Sequence, residues 1–186
     1  MALEPQSDGE PYTRSAFYRG RAIAAGHLHD PAAAEQALKH YDRMVAATRK
    51  GKKPYIADYL ERQRRVVDAW ANYAAGKREE AVKTLKSVAD EQDNVGKQET
   101  ELPAREMLAD MLLDAGQAQE ALEQYEISLK TDPNRFNGLA GAAAAAVKLQ
   151  QKEKAAGYYE QLLKNSSASH SDRPELRQAK LLVARN

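Results

Sequence analysis

The sequence predicts an all-α protein built from stacked antiparallel helix pairs. Three observations point there. Apolar residues recur with a helical period from Tyr12 onward. Glycine, proline, aspartate or asparagine breaks that period at short intervals, giving about nine helices joined by tight turns. No stretch alternates β-branched residues as a strand requires.

The elements follow in order. A polar start, residues 1–11, reads as a linker and as the opening of a fragment. The first helix runs over about 12–28. Asp30 then serves as N-cap and Pro31 as first helical residue of a second helix reaching about Arg49. Pro54 opens a long third helix that Gly76 ends, and a fourth spans about 77–91. Residues 94–101 are the least patterned internal stretch. Pro103 starts a fifth helix that ends at Gly116, and the sixth covers 118–130 up to Asp132-Pro133-Asn134. The seventh and eighth cover 135–149 and 152–164, and Asp172 caps a last helix reaching Ala184.

Composition agrees. Of 186 residues, 42% are hydrophobic and 30% charged, which suits a folded chain with one core or a short repeat array. Alanine is abundant while Phe (2) and Trp (1) are scarce, so helix backbones can approach closely. A net charge of +1 gives no field to draw nucleic acid or an anionic membrane. No apolar run approaches the ~18 residues that cross a bilayer. With no cysteine, disulfides, thiolate zinc sites and cysteine nucleophiles are excluded.

A repeat underlies the helices. Ala121 recurs as Ala155, and Tyr125 recurs as Tyr159 at the same interval. Ala81 has the same surroundings upstream of Ala121, and a fainter copy is centred on Ala37 and Tyr41, at progressively wider intervals. A helix pair cannot bury its apolar face alone, so consecutive pairs stack into a continuous core. The spacing assigns the alanines to close helix crossings and the tyrosines to the space between successive pairs. The run Gly141 to Ala146 reads as one tightly packed helix.

This pattern resembles the tetratricopeptide repeat, a helix-turn-helix unit of roughly 34 residues. Residues 102–135 carry Leu108, Ala109, Leu112, Gly116, Ala121, Tyr125 and Pro133 at its offsets. Residues 136–169 match in Leu139, Ala142, Ala143, Ala155 and Tyr159 but lack the inter-helix glycine and the final proline. Residues 62–95 keep Ala69, Gly76 and Ala81, with Asp68 where an apolar residue is usual. The segments around Leu102-Pro103-Ala104 and Asp132-Pro133-Asn134 also resemble the C-terminal part of longer bacterial proteins of this kind, many of them exported. The resemblance implies a right-handed α-α superhelix of about four hairpins, two divergent ones over 12–93 and two regular ones over 102–169. Residues 170–186 then form a capping helix. The compartment, cytoplasm or periplasm, is left open.

In this family the first helix of each pair lines a concave groove, and the resemblance therefore implies three stripes. They are Val66, Trp70 and Ala74; Glu106, Asp110 and Asp114; and Ala140, Ala144 and Lys148. Gln63, Tyr73, Leu113, Asn137 and Val147 stand one groove position over. Trp70 and Tyr73 read as an aromatic anchor or as helix packing. The acidic stripe reads as a receiver for basic segments of a peptide, or as a solvated face compensated by Arg105 and nearby lysines. The implied function is a non-catalytic scaffold binding a protein or peptide, the alternative being a unit that stacks on another copy or on a longer parent chain. No cofactor and no nucleic-acid partner is implied. His27 and His29 are two residues apart, so their rings diverge on a helix and make a poor metal pair. Phosphate-loop and nucleophile-elbow motifs are absent.

Overall fold

The structure, a computed structural model, describes residues 11–51, 54–96, 102–169 and 171–184. Of the expected linkers 1–11 and 94–101, residues 1–10 and 97–101 lie outside these residues, while Pro11 opens a helix and residues 94–95 end one. Nine α-helices and no strand occupy the described residues: α1 (Pro11–His27), α2 (Pro31–Lys50), α3 (Pro54–Ala74), α4 (Arg78–Val95), α5 (Ala104–Asp114), α6 (Ala118–Thr131), α7 (Phe136–Lys148), α8 (Lys152–Asn165) and α9 (Pro174–Val183). Among the described residues no helix is long and apolar enough to cross a membrane.

The chain forms two compact units, divided between Glu91 and Gln92. In the first, α1, α2 and α3 all touch one another. Gly26 of α1 makes this possible, because a β-carbon there would overlap the Trp70 indole of α3. Trp70, Tyr41, Tyr73 and Leu60 fill the core. Arg19 is buried with them, its Nη1 donating to Gln63 Oε1 at 2.8 Å. In the second unit, α5–α6 and α7–α8 are hairpins, α6 packs on α7, and α9 packs on α8. The first helices of these two hairpins, α5 and α7, also touch. Within each unit helices pack mainly on their chain neighbours, an order consistent with an α-solenoid.

Four turns share one geometry, and they carry the repeat more clearly than the side chains do. Gly76, Gly116, Gln150 and His29 all have φ between 52° and 83°, the left-handed region. At each, the residue's own amide donates to the carbonyl three before it. The next amide donates to the carbonyl five before that: Lys77 to Asn72, Gln117 to Leu112 and Gln151 to Ala146 at 2.9 Å, and Asp30 to Ala25 likewise. This double bond satisfies carbonyls that a helix end leaves bare. Five residues on, Ala34, Ala81, Ala121 and Ala155 are all buried. The glycine missing from the last hairpin is therefore replaced in conformation by Gln150. The first copy is registered on Ala34, three residues before the expected Ala37.

Two expectations are corrected. Helix α4 continues to Val95, past the expected end near 91, because its last turns have partners. Glu91 accepts from Arg65 Nη1 at 2.5 Å and Gln92 Oε1 accepts from the Ala104 amide at 2.8 Å. Asp172 does not cap α9. Arg173 holds the cap position without a side-chain bond, while Asp172 pairs with Arg177 at 2.7 Å.

The turns predict opposite effects for two substitutions. No atom lies within 4 Å of a β-carbon at Gly116, so Gly116→Ala costs only the left-handed backbone term. Thermal or urea unfolding should show a loss of about 1 kcal/mol. Gln150→Gly should gain about 0.5 kcal/mol, after deducting the freedom of unfolded glycine.

Candidate functional site

The acidic stripe on α5 divides into three environments. Glu106, only 4% exposed, accepts two parallel bonds from Arg135, at 2.9 Å from Nε and 3.0 Å from Nη2. This bidentate pairing raises the Arg135 pKa further above its ordinary value, against the opposing effect of its partial burial. Asp110 is half-buried and accepts from the Tyr125 hydroxyl at 2.5 Å. Burial pushes the Tyr125 phenol far above its ordinary range, and the charge and bond of Asp110 push it further. Asp114 alone is exposed. Arg105, expected to compensate the stripe, is engaged elsewhere. Its guanidinium donates to Asp93 at 3.0 and 2.5 Å and to Gln124 at 2.9 Å. Adjacent residues on a helix point a quarter-turn or more apart, so Arg105 faces away from Glu106's partner and its charge serves the α4–α5 junction.

Other expected groove residues are core. Val66 and Trp70 are fully buried and Tyr73 is 1% exposed. Trp70 packs at 4.7 Å against His27 with the rings tilted and meets the Tyr73 edge at 5.8 Å, while His29 lies tilted against Tyr73. The physical reason lies in α1, whose Gly26 opens the space that the indole fills. These three residues are therefore not surface anchors, and the two histidines pack on aromatic rings. Gln63 is likewise buried.

What remains at the surface is a smaller face on two touching helices. Asn137 and Lys148 of α7 are exposed, Ala140 and Ala144 between them are half-buried, and Asp114 stands on α5. The side chains between the two polar ends are methyl groups. Gly141 lies beside them, and a β-carbon at this position would overlap the Tyr125 ring. Sequence reasoning missed Arg135 as Glu106's partner, since 29 residues separate them. It missed Glu126 as well, which accepts from Lys154 Nζ at 2.9 Å and from the Tyr158 hydroxyl at 2.8 Å, tying α6 to α8. Among the described residues no group of three or more His, Asp or Glu converges as a metal-ligand set.

No family model, curated protein or solved structure matches the chain.

Two ion pairs carry predictions. Arg135→Leu leaves the Glu106 carboxylate buried without a partner, and a denaturation series should show a loss of about 3 kcal/mol. Adding Glu106→Leu should recover much of it. Glu126 is held below its ordinary 4.5: burial acts upward, but the bonds from Lys154 and Tyr158 outweigh it. A depressed carboxylate stabilises fully above that ordinary value and loses its effect as pH falls through the lower, folded one. The difference in Tm between the parent chain and Glu126→Gln should accordingly be constant above about pH 5.5 and shrink below 4.5.

Proposed function

We propose that the chain is a tetratricopeptide-like right-handed solenoid acting as a non-catalytic scaffold. It receives an extended protein segment along the first helices of its hairpins. The observation that carries the reading is the contact of α5 with α7, which joins Asp114, Asn137 and Lys148 into one surface floored by Ala140 and Ala144. A floor of small side chains admits an extended backbone closely. An acid on one helix and a lysine on the other supply polar contacts of both signs along it.

The charges within the hairpins support the non-catalytic part of the reading. Glu106 and Asp110, two of the three acids of the α5 stripe, are engaged by Arg135 and Tyr125. Engaged in this way they hold helices together. The partner consistent with this surface carries a basic residue for Asp114 and an acidic one for Lys148, a more balanced chemistry than the purely basic peptide expected from the stripe.

Panning a random-peptide display library against the chain tests the reading. Enriched peptides should bind at least about tenfold more weakly to Asp114→Lys and Lys148→Glu, the loss expected for one charged contact. Both positions are exposed, so both variants should remain folded, as circular dichroism would show. No enrichment, or enriched peptides indifferent to both changes, overturns it.

A further inference from the structure

A second site lies at the other side of the last hairpin. A pocket of about 380 Å³ opens between the α7–α8 turn and α9, lined by Val147, Gln150, Lys152, Ala155, Ala156, Tyr159 and Leu182. The size falls within the range of small-ligand pockets. Five of these seven residues present hydrocarbon or an aromatic ring. The remaining two are polar and near the turn: Gln150, in its left-handed conformation, and Lys152, the first residue of α8. Lys152 forms no ion pair and the Gln150 side chain no hydrogen bond among the described residues.

The repeat singles out Tyr159. Its counterpart one repeat earlier, Tyr125, donates its hydroxyl to Asp110. The position one repeat after Asp110 is Ala144. Tyr159 has lost the carboxylate its counterpart uses. It is 1% exposed, and its hydroxyl makes no hydrogen bond among the described residues. Burial alone raises its pKa, whereas three carboxylates act on Tyr125. The hydroxyl oxygen is not among the fully buried atoms left without a partner, so it is accessible to what enters the pocket that Tyr159 lines. Gln150, in the left-handed conformation shared by the turns at 29, 76 and 116, places a side-chain amide at the pocket's edge.

We infer that this pocket binds a medium-chain alkanoate. The carboxylate takes the Tyr159 hydroxyl and the Lys152 ammonium, and the alkyl chain lies against Val147, Ala155, Ala156 and Leu182. A carboxylate is the acceptor the phenol has in the preceding hairpin, and one lysine balances one negative charge. The apolar walls select an alkyl tail over a polar peptide segment. Lys152, Ala155, Ala156 and Tyr159 recur at helical spacing along one face of α8, so the polar and apolar contacts form one continuous strip. The inference does not depend on the scaffold reading, because its two polar contacts, Lys152 and Tyr159, both stand on α8, and of the lining only Val147 was expected beside the groove.

Titration calorimetry of the full chain with decanoate tests it, with decanol and decyltrimethylammonium as comparison ligands. Decanoate should bind saturably, and the other two at least about tenfold more weakly, the loss expected without the charged contact. Tyr159→Phe should weaken decanoate about tenfold or more while leaving Tm unchanged, since no bond within the chain is lost. Lys152→Met, at an exposed position, provides a second variant with the same expected loss. Absence of saturable decanoate binding overturns the inference. So does decanol binding as tightly as decanoate, or a Tyr159→Phe chain that binds decanoate undiminished. A leucine-terminated peptide that displaces decanoate at lower concentration would reassign the pocket to a protein C-terminus.

Discussion

The second unit depends on where Tyr125 sits. Its ring leaves α6, lies against the bare backbone of α7 at Gly141, and ends with its hydroxyl on Asp110 of α5. One side chain thereby sets the spacing of three helices from two successive hairpins. The constraint is double. The ring demands glycine at 141, since any β-carbon there would overlap it. The hydroxyl demands an acceptor at 110, because a buried phenol without one forfeits the hydrogen bond it had in water. Small residue, aromatic and acid are separate choices in sequence but a single packing decision in space.

The charged groups follow from that placement. Once α5 and α7 are drawn together, Glu106 has little water left, and a buried carboxylate is tolerable only with a partner of good geometry. Arg135, immediately before α7, supplies two parallel bonds, so the pair fixes how α7 begins relative to α5. Farther along, Glu126 gathers Lys154 and Tyr158 and ties α6 to α8. The links run from one hairpin to the next. A stack whose units each touch mainly their neighbours needs links of that kind, and Glu106, which looked available for a ligand, is used in making one.

Much of this architecture was legible in the sequence. Proline and glycine mark helix ends through backbone geometry, which is local, so most boundaries came within a residue or two. The end of α4 was missed because it is held by Arg65 and the Ala104 amide, contacts that local pattern does not encode. The groove residues were less legible for a related reason. Offsets along a helix say which residues share a face, but what covers that face is decided by another element. Gly26 admits Trp70 into the core, and nothing near Trp70 in sequence announces it. The left-handed Gln150 and His29 were hidden in a different way. Glycine is the residue that advertises such a turn, and here the hydrogen-bond pattern persists without it.

The last hairpin shows what becomes of a repeated device at the end of a series. Tyr159 repeats the burial of Tyr125, yet position 144 offers a methyl group where 110 offers a carboxylate. Keeping the aromatic preserves the packing against Leu139, Ala143 and Leu162 and lets α9 add Leu176 and Ala179 to the same cluster. Losing the acid removes the acceptor that Asp110 gives the Tyr125 hydroxyl. The phenol is then the one part of the device left without its counterpart. It lines the pocket that α9 leaves open toward the α7–α8 turn. Substituting an acid by alanine within an otherwise preserved repeat converts an internal hydrogen bond into recognition capacity at the same spot. The packing that holds the ring also fixes where the hydroxyl is presented.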